Sequence, residues 1–202
     1  MNKKGLLIVI SGPSGAGKGT VYNEVLIRRP EIQRSVSVTT RAPRKGEVDG
    51  IHYYFRTVEE YQRMIADGEF LETASVYSNY YGTPKAPVYE KLALGQDVMF
   101  EIDTLGAKQI KSIYPESVTI FIIPPSLEIL EKRLRARGTD SEDSIRRRLS
   151  CARSELEKYK QFDYIVFNDD LESSIQKVLS IIDAEKSRIF RNEKAIKEYL
   201  GS

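Results

Sequence analysis

A glycine-rich segment near the start of the chain constrains its fold more than any other feature. Residues 12–20 read GPSGAGKGT, and the apolar run Leu6–Ile10 leads directly into them. A buried strand, a glycine turn and a helix start in this order predict a phosphate-binding loop, in which main-chain N–H groups and the positive end of the helix dipole face an anion. Lys18 adds a mobile positive charge for the β- and γ-phosphates.

One position departs from the usual form of this loop. The residue after the lysine is Gly19 rather than Ser or Thr, and a hydroxyl comes one place later, at Thr20. We therefore expect Thr20 to replace the usual magnesium-ligating hydroxyl.

Composition narrows the class of protein. The 202 residues are enough for one α/β domain with small inserted parts, and a net charge of +2 does not suggest a nucleic-acid partner. The single cysteine, Cys151, excludes an intrachain disulfide and is interpreted as a small helix residue. No apolar run approaches the ~20 residues of a membrane span. We expect a cytoplasmic protein with no membrane partner.

Strands alternate with helices along most of the chain. This order predicts a three-layer α/β fold of the P-loop type, with a mainly parallel sheet and ligands at the carboxyl ends of its strands. Residues 35–84 break the alternation and predict a small inserted lobe. Within it we expect strands at Ser35–Thr40, Ile51–Phe55 and Glu69–Tyr77, and a turn-rich aromatic loop at Asn79–Pro84. The polar tail from residue 191 is predicted to be either a further helical turn or a frayed end.

A second apolar run ends in acids. Asp97–Asp103 reads DVMFEID, and after a phosphate-binding loop such a strand is similar to the element whose carboxylates face Mg²⁺ or substrate. Glu101 is then a candidate metal residue, directly or through water. The alternative is a buried strand with two acids at its exposed end.

Arginines are concentrated in a helical hairpin between residues 133 and 153. Most are expected to form salt bridges on the surface with neighbouring glutamates, among them Glu128, Glu131, Glu142 and Glu155. The alternative is that one or two swing over the phosphate-binding loop and stabilise charge on a transferring phosphoryl group.

Residues 39–55, TTRAPRKGEVDGIHYYF, resemble the signature of the guanylate kinases. Further matches follow in order at Asn79–Gly82, Glu101–Asp103, Arg137–Thr139 and Asn168–Asp170, so the resemblance covers about residues 5–185. It implies an ATP-dependent kinase that phosphorylates GMP, and dGMP, in purine nucleotide metabolism. It also implies a core (about 1–34, 96–125 and 155–202), a GMP-binding lobe (about 35–95) and a lid (about 126–154).

The resemblance also implies site residues. Those for the GMP phosphate are Arg41, Arg44, Tyr53 and Tyr81. Those that read guanine are Ser37, Glu72, Thr83 and Asp103. The catalytic set is Lys18, Arg41, Arg137 and Arg148. The ATP-binding set is Gly12, Pro13, Ser14, Gly15, Ala16, Gly17, Lys18, Gly19 and Thr20, with Asn168 near adenine.

The chemistry of the substrates agrees with this assignment. Guanine presents N1–H and a 2-amino group, which a carboxylate such as Glu72 can accept together, whereas adenine presents neither donor at these positions. The attacking oxygen belongs to an ionised phosphate, so no side-chain base is needed, and the single histidine, His52, is interpreted as structural. Because stray water would waste ATP, we expect the lobe and the lid to close over the core.

Two alternatives belong to other classes. A scaffold-type module of the same family would bind partners without catalysis, and it would carry a damaged phosphate-binding loop; here Lys18 and the glycines are intact. A kinase for another nucleotide is disfavoured by Glu72 and Asp103, because two acids suit guanine's donors.

Overall fold

The structure is a computed structural model that describes residues 4–76, 78–136 and 142–201. Its strands are β1 Leu7–Ser11, β2 Gln33–Arg34, β3 Val38–Thr39, β4 Tyr54–Phe55, β5 Phe70–Val76, β6 Asn79–Pro84, β7 Val98–Glu101, β8 Val118–Ile123 and β9 Tyr164–Phe167. Its α-helices are α1 Lys18–Arg28, α2 Val58–Ala66, α3 Lys85–Ala93, α4 Thr104–Ile113, α5 Leu127–Ala136, α6 Glu142–Leu156, α7 Leu171–Lys186 and α8 Ile189–Leu200.

A five-stranded parallel sheet forms the core, in the spatial order β2, β7, β1, β8, β9. All five residues of β1 are buried, because each of its faces is covered by helices. Ile8 and Ile10 pack towards α1 and α7, whereas Leu7 and Val9 pack towards α3 and α4. The predicted three-layer architecture is therefore confirmed, and β1 and β7 bring their carboxyl ends to the same edge.

A second sheet of four strands, in the order β4, β3, β6, β5, forms the inserted lobe. Helix α2 covers one face, where Tyr61, Phe70 and Val38 are buried together. The helix begins with the capping box that Thr57 and Glu60 predict. Helix α4 of the core packs against strand β5 of this sheet.

The expectation of a loop at Asn79–Pro84 is wrong. These residues form β6, which pairs antiparallel with both β5 and β3. Gly and Pro are unfavourable in strands, so local composition indicated a turn. Tertiary contacts decide otherwise: the Tyr61 hydroxyl donates to the main-chain oxygen of Tyr81, and the Tyr61 ring stacks on Tyr80.

Two other strand predictions were too long. Of Ser35–Thr40 only Val38–Thr39 form a strand, β3 in the lobe, whereas the preceding residues Gln33–Arg34 pair in the core sheet as β2. Ile51–Phe55 is a strand only from Tyr54, since Ile51 and His52 donate their N–H groups to the Val48 oxygen in a turn.

Helices α5 and α6 form the predicted hairpin and pack through a small cluster around Leu130, Leu134 and Ala152. The predicted tail is a helix, α8, none of whose residues is buried. No helix in the described ranges is both long enough and apolar enough to cross a membrane.

Candidate active site

The phosphate-binding loop joins β1 to α1 and is shaped by its glycines. Gly12 and Gly17 have φ of 144° and 88°, which L side chains rarely adopt. Space is equally restricted: a Cβ on Gly12 would lie 2.0 Å from the Ile122 oxygen, and one on Gly17 would lie 2.3 Å from Nδ2 of Asn168. Only glycine allows the main chain to follow this path, as the sequence pattern predicted.

Lys18 is the first residue of α1 and folds back over the loop. Its ammonium group donates to the main-chain oxygens of Gly12 and Pro13, at 2.6 and 3.0 Å. These contacts hold the positive charge at the mouth of the loop, where the positive end of the α1 dipole also acts. The arrangement is suited to binding a multiply charged anion.

Asn168 supports this loop from behind. It is 5% exposed, and its side-chain amide donates to the Ala16 oxygen at 2.7 Å. Its own main-chain oxygen accepts from Arg133 of α5. The contacts observed are those of a residue that fixes the loop, and its predicted place near adenine stays a prediction.

Glu101, the last residue of β7, lies beside the start of α1. A Cβ placed on Gly19 would be 3.2 Å from Oε1 of Glu101, so glycine leaves room for this carboxylate where the usual Ser or Thr would crowd it. Thr20 is exposed in the first turn of the helix. One carboxylate and one hydroxyl beside a phosphate-binding loop fit Mg²⁺, which keeps several waters and takes few protein ligands. Among the described residues, no group of three or more His, Cys, Asp or Glu side chains is placed to hold a metal ion.

A buried carboxylate lies in strand β5 of the lobe sheet, beside helix α4. Glu72 is 5% exposed, and its Oε1 accepts from the Thr83 hydroxyl at 2.7 Å. The Thr83 hydroxyl has one proton, which it donates to Glu72. In the 3.2 Å hydrogen bond between the hydroxyls of Ser37 and Thr83, Ser37 is therefore the donor. The pairing of β5 with β6 places Glu72 opposite Thr83, so strand register builds this cluster.

Asp103 brings a second carboxylate to the same place. It caps α4 by accepting from the Gly106 N–H at 2.8 Å. A Cβ on Gly106 would lie 3.0 Å from Oε2 of Glu72 and 3.5 Å from Oδ1 of Asp103. Both carboxylates therefore lie next to Gly106. Burial raises the pKa of Glu72, and the nearby charge of Asp103 adds to the effect. Sequence reasoning missed Gly106, whose small size permits the approach.

Arg41 is held in place by an ion pair. Its guanidinium donates to both oxygens of Glu47, at 2.8 and 3.0 Å, and lies 5.6 Å from the centre of the Tyr53 ring. The Tyr81 ring packs against the Tyr53 ring, with 6.1 Å between their centres, and the pKa of Arg41 is raised chiefly by Glu47. The structure therefore gathers three of the four residues predicted for the GMP phosphate.

Fewer contacts define the positions of the other arginines. Arg44 is exposed, and its main-chain N–H donates to Glu47 at 2.6 Å. Arg148 lies on α6 and is partly buried. Arg137 falls outside the described residues. Arg135 pairs with Glu131 and Glu142, as the surface-pairing interpretation predicted.

Glu155, expected to pair with an arginine of the hairpin, is partly buried in α6. Burial raises the pKa of its carboxyl, and the positive charge of Lys18 opposes this rise. Its pairing with an arginine stays a prediction. Glu47 lies within residues 39–55, which resemble the family signature, but the sequence did not indicate its contact with Arg41.

Comparisons with known proteins agree with this geometry. The family model described as guanylate kinase matches residues 4–185. The curated guanylate kinase of Carboxydothermus hydrogenoformans is 54% identical over 183 residues, 91% of this chain and 90% of that protein. The guanylate kinase of Clostridioides difficile is 52% identical over 97% of this chain and 96% of its own length. A crystal structure of guanylate kinase from Anaplasma phagocytophilum matches with a TM-score of 0.74 and 35% identity, over 94% of this chain and 90% of that one.

Proposed function

The chain belongs to the guanylate kinase family, and from that premise we propose that it transfers the γ-phosphoryl group of ATP to GMP, giving GDP and ADP. It is a P-loop nucleoside monophosphate kinase. The substrates ATP and GMP are bound at the two ends of one cleft, between the phosphate-binding loop and the lobe sheet.

The observation that carries the proposal is the buried carboxylate of Glu72. Guanine offers N1–H and a 2-amino group side by side, and a carboxylate can accept from both. Thr83 occupies part of the hydrogen-bonding capacity of Oε1, while Oε2 borders Asp103. A base without these donors would leave a desolvated carboxylate unpaired, which sites of this kind reject strongly.

The phosphate of GMP is proposed to bind Arg41, Arg44, Tyr53 and Tyr81. Glu47 holds the Arg41 guanidinium beside the two tyrosine rings, so its position is largely set before the substrate arrives. A guanidinium matches phosphate oxygens in pairs, and phenol hydroxyls add two further donors. These groups fix the attacking oxygen.

The donor side is proposed to rest on the loop of residues 12–20. Main-chain N–H groups cradle the ATP phosphates, and Lys18 neutralises charge between the β- and γ-phosphates. Arg137 and Arg148 would do the same for the transferred group from the lid. Positioning and charge neutralisation therefore supply the rate enhancement, with no proton taken by a side chain.

Glu101 and Thr20 are proposed to hold Mg²⁺, directly or through water. Bound Mg²⁺ neutralises charge on the β- and γ-phosphate oxygens. The carboxylate of Glu101 lies next to the start of α1, at the position where Gly19 leaves room for it.

We further propose that the chain works as a core, a lobe and a lid that close around both nucleotides. Closure would exclude water from the γ-phosphate and complete the set of cations around it. The lobe carries the acceptor site and the hairpin of α5 and α6 carries Arg148.

A coupled assay of ADP release tests the proposal. The wild-type chain is given ATP and Mg²⁺ with GMP, dGMP, AMP, UMP or dTMP as acceptor. We expect turnover with GMP, and with dGMP, far above the other three. Faster turnover of AMP or UMP would overturn the substrate assignment, and absence of turnover with every acceptor would favour the scaffold-type alternative.

A further inference from the structure

Gln109 joins helix α4 to the edge of the lobe sheet. Strand β5 is the last strand of that sheet, so one side of it pairs with β6 and the other side meets α4. On this outer side the Thr73 N–H donates to Oε1 of Gln109 at 2.9 Å, and Nε2 of Gln109 donates to the Thr73 oxygen at 3.0 Å. A side-chain amide offers both an acceptor and donors, so it bonds the two polar groups of a strand residue as a neighbouring strand would. Gln109 therefore fixes Thr73 to the helix.

The two hydrogen bonds lie next to the carboxylate that is proposed to read guanine. The Thr73 N–H belongs to the peptide group that links Glu72 to Thr73, so Gln109 holds the main chain immediately after Glu72. One turn earlier in α4, Gly106 leaves room for the Glu72 carboxylate, since a Cβ there would lie 3.0 Å from Oε2. One face of α4 thus contacts both the main chain at Thr73 and the side chain of Glu72.

Asp103, the second acid of the site, is fixed to α4 rather than to the strand. Its carboxylate accepts from the Gly106 N–H at 2.8 Å and caps the helix, whereas Glu72 belongs to β5. The separation of the two acids therefore depends on how β5 lies along α4. Leu71 and Ile110 share a buried apolar cluster, but hydrophobic burial has no direction. Two hydrogen bonds with defined distances and angles fix the strand along the helix axis.

We propose that Gln109 is a positioning residue for the acceptor base: by bonding both main-chain polar groups of Thr73, it holds Glu72 at the separation from Asp103 that the donors of guanine require. The inference rests on the proposed function, because it takes Glu72 as the acceptor of N1–H and the 2-amino group. Two hydrogen bonds to one carboxylate form together only when that carboxylate is accurately placed. Loss of Gln109 should therefore weaken recognition of guanine more than it lowers the rate of phosphoryl transfer.

Steady-state kinetics with GMP and with IMP test the proposal. IMP keeps the N1–H of guanine and lacks the 2-amino group, so the ratio of kcat/KM for GMP to that for IMP measures how well one carboxylate accepts from both donors. Gln109→Met keeps the length of the side chain and removes both hydrogen bonds. We expect its KM for GMP to rise about fivefold and the GMP-to-IMP ratio to fall about threefold, with kcat and the KM for ATP near wild type. Gln176→Met, the same change at an exposed position of α7, is the matched control and should alter none of these values.

Hydrogen exchange at the Thr73 amide supplies a readout that does not depend on activity. Gln109 accepts from this N–H in the wild-type protein, so exchange at Thr73 should be faster in Gln109→Met and unchanged in Gln176→Met. Exchange at Thr73 that is equally slow in Gln109→Met would show that another contact holds the strand, and this result overturns the inference.

The ratio of the two substrates separates positioning from a merely structural role. A folded Gln109→Met protein with an unchanged GMP-to-IMP ratio overturns the inference, and so does an equal fall in kcat/KM for both substrates, because a smaller active fraction does not distinguish the bases. If that variant does not fold, Gln109→Glu decides. It keeps the acceptor for the Thr73 N–H and sets a carboxylate against the Thr73 oxygen, so a lower ratio supports the inference and an unchanged ratio rejects it. If the wild-type protein does not phosphorylate GMP, the proposed function fails, whereas failure of the ratio test alone leaves that function standing.

Discussion

The phosphate-binding loop and the cluster around Glu72 recognise their ligands with different parts of the chain. The loop presents main-chain N–H groups, and its side chains are small or absent at residues 12–17. The cluster presents side chains, Glu72, Thr83 and Ser37, on two paired strands and a neighbouring one. Phosphate is common to all nucleotides, so main-chain N–H groups that carry no side-chain specificity are sufficient to bind it. Guanine differs from the other bases, so its recognition requires particular side chains.

This difference has a physical consequence. A main-chain site depends on backbone path, which glycine and the buried Asn168 amide hold in place. A side-chain site depends on strand register and on the ionisation of one carboxylate. Damage to the loop should therefore reduce the rate with every acceptor, and damage to the cluster should change which acceptor is used.

The largest effect is expected at Lys18, the one charged side chain in the loop. Lys18→Met should lower kcat by about 10³-fold with GMP and dGMP alike, because charge on the transferring group loses its nearest partner. GMP binding, measured by titration calorimetry, should stay unchanged, and so should the melting temperature. Lys108→Met, an exposed lysine of α4, is the control. Loss of GMP binding in Lys18→Met would contradict the separation of the two sites.

The next largest effect is expected at Glu72. Glu72→Gln should lower kcat/KM for GMP by about 10²-fold, since the amide cannot accept from both guanine donors and its N–H₂ opposes one of them. The KM for ATP should change little. Glu69→Gln, an exposed acid at the start of the same strand, tests whether lost charge alone is responsible. An equal loss for GMP and AMP in Glu72→Gln would show that the carboxylate does not select the base.

The two regions also differ in how far sequence could predict them. The loop is local: glycines, lysine and the preceding strand are contiguous, so their spacing alone indicates the geometry. The cluster is not local, because Glu72 and Thr83 meet through the register of β5 with β6, and β6 was expected to be a loop. The resemblance to the guanylate kinases implied that Glu72 and Thr83 belong to the site. Their spacing in the sequence did not indicate that they would be in contact.

Contacts between distant elements account for the other gaps. Asp103 was expected to read guanine, and the sequence did not indicate that it also caps α4, which begins at Thr104. Gly106 was missed altogether, although its small size leaves room for the Glu72 carboxylate beside α4. The packing of α4 on β5 brings these residues together, and periodicity along the chain does not indicate it.

A smaller effect is expected at Glu47, which holds an arginine of the acceptor site without being proposed to contact the substrate. Glu47→Gln should raise the KM for GMP by about fivefold and leave kcat nearly unchanged, because the Arg41 guanidinium loses its partner and samples more positions. Steady-state kinetics at fixed ATP measures it. Glu90→Gln, on the exposed face of α3, is the control. A fall in kcat with unchanged KM would place Glu47 in the chemical step instead.

The smallest effect is expected from lowering the pH. It distinguishes the two regions, because the Glu72 carboxyl of the cluster can take up a proton and the main-chain N–H groups of the phosphate-binding loop cannot. Burial raises the pKa of Glu72 above its ordinary 4.5, so the folded protein holds this proton more tightly than the unfolded chain does. Protonation of Glu72 therefore stabilises the fold as pH falls, but it removes the acceptor that guanine needs. As the pH falls towards this raised pKa, we expect the Kd for GMP to rise from this cause.

The GMP phosphate titrates in the same range, and Glu72→Gln separates the two contributions. Its binding of GMP keeps the phosphate titration and lacks that of Glu72, so the ratio of the wild-type Kd to the variant Kd isolates the carboxylate. If this ratio stays constant on acidification, Glu72 is ionised throughout the range, and its hydrogen bond from Thr83 outweighs its burial. If the ratio rises, selectivity for guanine depends on a carboxylate kept at the edge of ionisation by the same burial that makes it discriminate.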